Sequence, residues 1–387
     1  MKSISIFILL SLLLLACQHQ SQPVVAPWGD EVVIEGVPVL ESDGDEEKGS
    51  DFDLDQIQHA GELIALTVSG PETYYDYHGK TLGLHAMLCQ QLADTLGVRL
   101  RIEVCRDTTE LTSRLAQGDA DLIAYPMTAP DSLWPGWCVA AEKPLLASVI
   151  TQWYKGSRLE NARREESQLL TTARVKRKVY APMLSRQGGI ISKYDALFQH
   201  HSQTIHWDWR LMAAQCYQES TFDPKALSWA GACGLMQIMP TTADHLGLAR
   251  SQMYDPEHNI AAAARYIKEL QATFSDIKDR HEQQDFILAA YNGGAHHIRD
   301  AMVLAKREGR NDHSWKEVSA FVMRLSQPQY YRDPLVKNGY MRGSETVEYV
   351  RLIRERYQMY RAAARPHNGN SVPQKSQNER HRKKYKI

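Results

Sequence analysis

With 387 residues, 43% of them hydrophobic and 24% charged, the chain is long enough for two or three domains with real cores and is ordinary for a globular protein. A formal net charge of -1 excludes a globally basic nucleic-acid binder. The average conceals a local asymmetry: ESDGDEEKGSDFDLD (Glu41 to Asp55) is acidic, whereas the end, QKSQNERHRKKYKI, is basic.

The first residues, MKSISIFILLSLLLLACQ, hold a lysine, an apolar run and a small residue before a cysteine. The run is too short to span a hydrocarbon core of about 30 Å, so residues 1–17 read as a signal peptide. Leu14-Leu15-Ala16-Cys17 resembles the bacterial lipobox, which implies cleavage before Cys17 and lipidation of its thiol. Each acyl chain contributes about 0.8 kcal/mol per buried CH₂, so two or three anchor a protein firmly. Gln18 in place of aspartate is consistent with outer-membrane sorting, the protein facing the periplasm. In that oxidising compartment Cys89, Cys105, Cys138, Cys216 and Cys233 remain, and five thiols form at most two disulfides. Cys216 with Cys233 is one candidate bridge, buried free thiols are the other reading, and the lack of a CxxC pair argues against zinc.

Residues 18–58 mix Gln, Pro, Gly and acidic residues without period, as an acidic flexible tether does. GELIALTVSG (61–70) then reads as a strand, and Leu84, Met87, Leu88, Leu92 and Leu96 fall at helical spacing. VRLRIEVC alternates like a strand, TELTSRLAQGDA is a short helix ending near Gly118, and DLIAYPM is a further strand. Residues 59–155 are therefore expected to form a small α/β unit on a parallel sheet. This order, with GDADLIA (118–124) and Thr128, resembles one lobe of the bacterial extracellular solute-binding proteins. The chain departs from that family in having no room for a second lobe. It also offers Asp131 and Ser132 where the family often places a carboxylate-gripping arginine. A retained ligand site and a spacer, docking or regulatory module both stay open for this lobe.

Residues 156–188 carry alternating charges and suggest a solvated helical connector, not a nucleic-acid surface. From 189 to 364 nearly every apolar pattern is helical, and residues 365–387 form a basic, apolar-poor tail expected to be disordered. The fold class that follows is α+β and multidomain.

Within the helical half, Asp208 caps a helix whose Trp209, Met212, Ala213 and Cys216 recur at i, i+3, i+4 and i+7. Glu219 continues that inward stripe before Thr221, Phe222 and Asp223-Pro224 stop the helix. Burial and the negative end of the helix dipole both disfavour its charge. To hold a proton near neutrality a glutamate of reference pKa about 4.3 must rise by about two units, roughly 2.7 kcal/mol. A helix end contributes only about 0.3–1 kcal/mol, so desolvation supplies the rest, with Met236, Ile238 and Met239 as the candidate wall. Glu219 thus reads as a general acid.

ESTFDPKALSWAGACGLMQIMP, NIAAAARYI (259–267), AAYNGG (289–294) and ETVEYV (345–350) together resemble the successive motifs of the lysozyme-like lytic transglycosylases, the SLT family. The resemblance covers about residues 190 to 362. It implies an α-rich lysozyme-like domain that cleaves bacterial peptidoglycan. Glu219 would be the single catalytic acid/base, and Ser228 would help orient the reacting sugar. Gln237 and Met239 would line the cleft, Tyr291 and Asn292 would sit beside the carboxylate and the sugar, and Tyr349 would add a cleft aromatic.

Most glycosidases use two carboxyl groups, yet the only other acid near this signature is Asp223, which reads as a turn element. The family mechanism fits a lone carboxylate: Glu219 protonates the oxygen linking MurNAc to GlcNAc and then takes the proton of the C6 hydroxyl. That hydroxyl attacks C1 with an effective concentration up to about 10⁵ M or more, so water loses. The product is a 1,6-anhydro sugar, and no metal or organic cofactor is implied. The histidines show no HExxH or comparable spacing. The implied partners are peptidoglycan glycan strands, the membrane through Cys17 and other cell-wall enzymes, with no nucleic acid. The alternative from another class is a non-catalytic peptidoglycan-binding envelope scaffold.

Overall fold

The computed structural model describes residues 39–40, 53–130, 134–172, 183, 185 and 189–363. The expected signal peptide with Cys17, most of the expected tether, Asp131 and Ser132, most of the connector beyond 172, and the basic tail lie outside the described residues. The chain divides into one unit of residues up to 170 together with 326–341, and a second of 171–325 with the residues from 342 onward.

In chain order the first unit contains β1 (Val39–Leu40), α1 (Leu54–Ala60), β2 (Glu62–Val68), β3 (Tyr75–Tyr77), β4 (Lys80–Leu82), α2 (Leu84–Leu96) and β5 (Arg99–Cys105). It continues with α3 (Thr108–Ala116), β6 (Leu122–Ile123), β7 (Cys138–Ala140), α4 (Pro144–Trp153) and α5 (Gly156–Thr172). The main sheet runs β1-β7-β6-β2-β5, and β3 with β4 forms a separate hairpin. β2 is parallel to β5 over its whole length and to β6 over two residues. The sheet is mixed and not purely parallel as the sequence suggested, because β7 runs antiparallel to β6. A parallel return needs a crossover element, and the described residues between β6 and β7 contain no helix.

β1 lies inside the stretch that composition marks as tether, and α1 begins within it. β1 covers the otherwise unpaired edge of β7. α1 begins at a capping box in which the Asp53 amide donates to Gln56 Oε1 at 2.9 Å. The Asp53 carboxylate also accepts from the Leu145 and Leu146 amides at 2.8 and 3.1 Å, holding the first turn of α4. The core gathers Leu63, Leu88, Leu92, Trp137, Leu146 and Ile150. Burial pushes His85 down to about 4, so its neutral Nδ1 accepts from Trp137 Nε1 at 2.8 Å. Asp121 accepts from the Ile64 amide at 2.8 Å and from Lys143 Nζ at 2.9 Å, both side chains being buried.

The second unit is helical throughout its described length: α6 (Asp195–Gln203), α7 (Trp209–Ser220), α8 (Pro240–His245), α9 (Pro256–Thr273), α10 (Arg280–Gly293), α11 (Ala295–Arg307) and α12 (Trp315–Arg324). Residues 326–341, with the short helix α13 (Pro328–Tyr331), then belong to the first unit before α14 (Gly343–Ala363) returns to the second. Aspartates cap α7, α9 and α10, where Asp208, Asp255 and Asp279 accept from amides of the first turn. α7 packs between α6 and α14. It is buried on all sides from Leu211 to Tyr217, not on the single stripe its spacing suggested.

Within the first unit, residues 339–340 sit at the carboxyl end of β2. The Tyr340 amide donates to Ser69 Oγ at 2.9 Å, and the Tyr340 ring meets Tyr75 and Tyr331 edge-on at 5.1 and 5.5 Å. β5 and β6 lie on opposite sides of β2, so the carboxyl end of β2 is the kind of switch point where open α/β sheets take ligands.

Lys143→Met strands the buried Asp121 without its cation, a change that typically costs about 3–5 kcal/mol. A loss of that order is expected in the unfolding free energy of the first unit, measured by denaturant titration of tryptophan fluorescence.

Candidate active site

α7 ends in an uncommon way. Thr221 and Phe222 both adopt left-handed backbone, with φ of 55° and 62°. The Thr221 amide still closes onto the Tyr217 carbonyl at 2.9 Å. Two such non-glycine residues in succession carry strain of the kind that collects at functional sites, and they stop the helix before Pro224 acts. Glu219 is half-buried in this last turn.

Tyr349, one and a half turns into α14, donates its hydroxyl proton to Glu219 Oε1 at 2.5 Å. Burial, then the Glu219 charge and this hydrogen bond, pushes the Tyr349 phenol well above its ordinary value. Tyr291, near the end of α10, donates to the Met236 carbonyl at 2.8 Å, and burial followed by the Glu219 charge raises it likewise. Both phenols therefore stay protonated across the neutral range and serve as fixed donors. Tyr266 of α9 packs against Tyr291 with ring centroids 5.2 Å apart.

The loop from Phe222 to Met239 is held by one buried amide. Asn259 of α9 accepts from the Met236 amide at 2.8 Å and donates to the Cys233 and Met253 carbonyls at 3.1 and 2.8 Å. The chain passes Asn259 so closely that a Cβ on Gly234 would lie 2.5 Å from the Met253 oxygen and 2.6 Å from Asn259 Nδ2. Gln237 is left-handed at φ 49°, its amide donating to the Gly234 and Ala226 carbonyls at 2.9 and 3.2 Å.

The structure brings Glu219, Tyr291 and Tyr349 together from α7, α10 and α14. Ser228 Oγ accepts from the Ala232 amide at 2.9 Å and so stitches its own turn. Asn292 Oδ1 accepts from Thr346 Oγ1 at 2.8 Å, joining α10 to α14. Met236 and Ile238 are buried as the expected wall requires, while Met239 is half-buried at the start of α8. Asp223 is exposed and accepts from the Lys225 amide at 2.9 Å, the turn role its sequence suggested. Cys216 and Cys233 are free buried thiols and not a bridge. Cys216 Sγ faces the Leu235 carbonyl and Cys233 Sγ faces Tyr254 Oη, each at 3.3 Å. The other three candidate cysteines are also free and buried. Among the described residues no cluster of His, Cys, Asp or Glu is arranged to hold a metal ion.

Sequence reading gave no role to Gln215, Asn259 or Thr346. Asn259 carried a signal all the same, being a polar residue on the apolar stripe of α9 beside Ile260 and Ala263.

Residues 196–314 match the family model described as Transglycosylase SLT domain. That span includes Glu219 and the other candidate site residues except Tyr349. The chain is 38% identical over 176 residues to a membrane-bound lytic murein transglycosylase F of Pseudomonas putida (strain GB-1), covering 46% of this chain and 36% of that relative. The match thus spans little more than a third of the relative's length. Among solved structures, the 70 kDa soluble lytic transglycosylase SLT70 from Escherichia coli is 28% identical with a TM-score of 0.32, covering 44% of this chain and 24% of that one. The arginine-bound form of domain 1 from TmArgBP is 23% identical with a TM-score of 0.23, covering 28% of this chain and 98% of that one.

Asn259→Ala removes the partners of the Met236 amide and of two carbonyls, at about 1–3 kcal/mol for each buried group left unpaired. The expected outcome is a melting transition lowered by several degrees, with increased amide exchange at residues 233–237, read by calorimetry and hydrogen–deuterium exchange.

Proposed function

We propose that this protein is a peptidoglycan lytic transglycosylase in which Glu219 is the single acid and base. The observation that carries the reading is the Tyr349 hydroxyl on Glu219 Oε1. It fixes one half-buried carboxylate at the end of α7, beside a second neutral phenol whose properties register the Glu219 charge. The match of residues 196–314 to the SLT domain supports the substrate class. So does the likeness to relatives named membrane-bound lytic murein transglycosylases.

The chemistry follows from having one half-buried carboxylate in the signature, the other acid, Asp223, being exposed and bound to its own turn. Glu219 gives its proton to the oxygen between MurNAc and GlcNAc as that bond breaks. The resulting carboxylate, held by Tyr349, then removes the proton of the C6 hydroxyl, whose oxygen closes on C1. One proton leaves Glu219 and one returns, so the site is restored without water being consumed. Intramolecular closure outruns hydrolysis because the attacking oxygen is already in place. Ser228, Gln237, Met239 and Asn292 belong to the same reading as groups that shape the loop and helix around the sugar. Lipid anchoring at Cys17 and an outer-membrane location belong to it as well. No helix among the described residues is long and apolar enough to cross a membrane.

Glu219→Gln keeps the shape and removes the proton, so release of muropeptides from purified sacculi should fall by about 10²–10⁴-fold. Mass spectrometry of the wild-type digest should show products lighter by one water than those of hydrolysis. A Gln variant as active as the parent, or reducing-end products throughout, would overturn the assignment, and binding to sacculi without product would point to the scaffold.

A further inference from the structure

We propose that Gln215 is a positioning residue for Glu219, acting through the hydroxyl of Tyr349. The inference rests on the reading of Glu219 as the acid and base. Residues 215 and 219 are one turn apart on α7 and so share a face of that helix. Gln215 is fully buried in company with Leu211, Met212 and Cys216, where an apolar side chain would be ordinary. Among the described residues neither its Oε1 nor its Nε2 has a hydrogen-bond partner. Buried amides are nearly always bonded, and an amide kept inside an apolar helix beside a reactive carboxylate calls for a use.

Its polar neighbour is the Tyr349 phenol. Burial and the Glu219 charge push that phenol up, whereas the Gln215 amide acts in the opposite direction, as a donor to the phenol oxygen does. Tyr349 Oη spends its single proton on Glu219 Oε1 and keeps lone pairs for accepting. In the proposed chain Gln215 Nε2–H donates to Tyr349 Oη, whose own proton goes to Glu219 Oε1. Hydrogen bonds in such a chain polarise one another, so the amide makes Tyr349 a stronger donor to the Glu219 carboxylate. The titratable groups acting on the two phenols are Glu219 and Cys216 of α7, Tyr266 of α9, Tyr291 of α10 and Tyr349 of α14. Cys216 and Tyr266 are themselves pushed up by burial, which leaves Glu219 as the carboxyl among these groups.

The sign follows. The chain favours ionised Glu219, and without it Glu219 holds its proton to higher pH. A general acid fails as pH rises through its own titration, so the basic limb of kcat/KM moves upward when the chain is cut. For Gln215→Leu, an apolar replacement suited to its surroundings, the expected move is about 0.3–1 pH unit. A several-fold lower kcat, an unchanged KM and a melting temperature no lower than the parent's should accompany it. Gln215→Met is the second variant should the leucine pack poorly. Tyr349→Phe moves the limb at least as far, and adding Gln215→Leu to it moves it no further.

The measurement is the pH–rate profile of sacculus cleavage by the full chain, for the parent, the single variants Gln215→Leu, Gln215→Met, Tyr349→Phe and Glu219→Gln, and the Gln215→Leu/Tyr349→Phe double variant. A limb that stays put in Gln215→Leu and Gln215→Met while Tyr349→Phe moves it overturns the proposal. An equal shift with and without Tyr349 does so too. An active Glu219→Gln variant would overturn the underlying assignment instead, and that arm reports it separately.

Discussion

The hydrogen bond from Tyr349 to Glu219 is the constraint around which the second unit is organised. It joins α7, buried on every side through Tyr217, to α14, whose first turns carry both Tyr349 and the Thr346 that holds Asn292. A carboxylate on a solvated helix end would sample many rotamers. Here the helix end is set by two left-handed residues, and the carboxylate is gripped by a phenol that burial keeps protonated. Proton transfer depends on distance and angle at the donor atom, so this fixing is the physical precondition for the chemistry.

The same logic extends to the facing loop. The peptide of Met236 is held from both sides: its amide by Asn259 of α9, its carbonyl by Tyr291 of α10. Two helices thus fix the loop side of the site through its backbone atoms, which leaves side-chain identity in the loop freer. Gly234 is the cost of that arrangement, since only a residue without Cβ lets the loop pass Asn259.

Glu219 was legible in the sequence because a local pattern, an apolar helix closing on an ionisable residue, pointed to it. The burial of Met236 and Ile238 was legible too, as apolar residues shortly after the helix. The grip of Tyr349 was not, because nothing local records which aromatic on α14 meets α7. Residues given ligand roles by resemblance also carry structural bonds: Ser228 closes its own turn and Asn292 ties two helices. In the first unit the expected strands and helices are present, and the departures arise where pairing decides. Val39–Leu40 become a strand because β7 offers an edge, and β7 turns antiparallel for want of a crossover helix. Composition cannot report either.

The excursion of residues 326–341 is the feature least visible in the sequence, where these residues fall inside the helical stretch 189–364. Its buried Tyr331, Tyr340 and Met341 belong to the first unit, with the Tyr340 amide on Ser69 beyond the carboxyl end of β2. α14 follows directly at Gly343, so the strand of chain that supplies Tyr349 leaves the first unit only two residues earlier. The helical unit is consequently not a contiguous stretch that begins near 190. A cut near residue 190 would separate the buried Tyr331, Tyr340 and Met341 from the unit to which they belong.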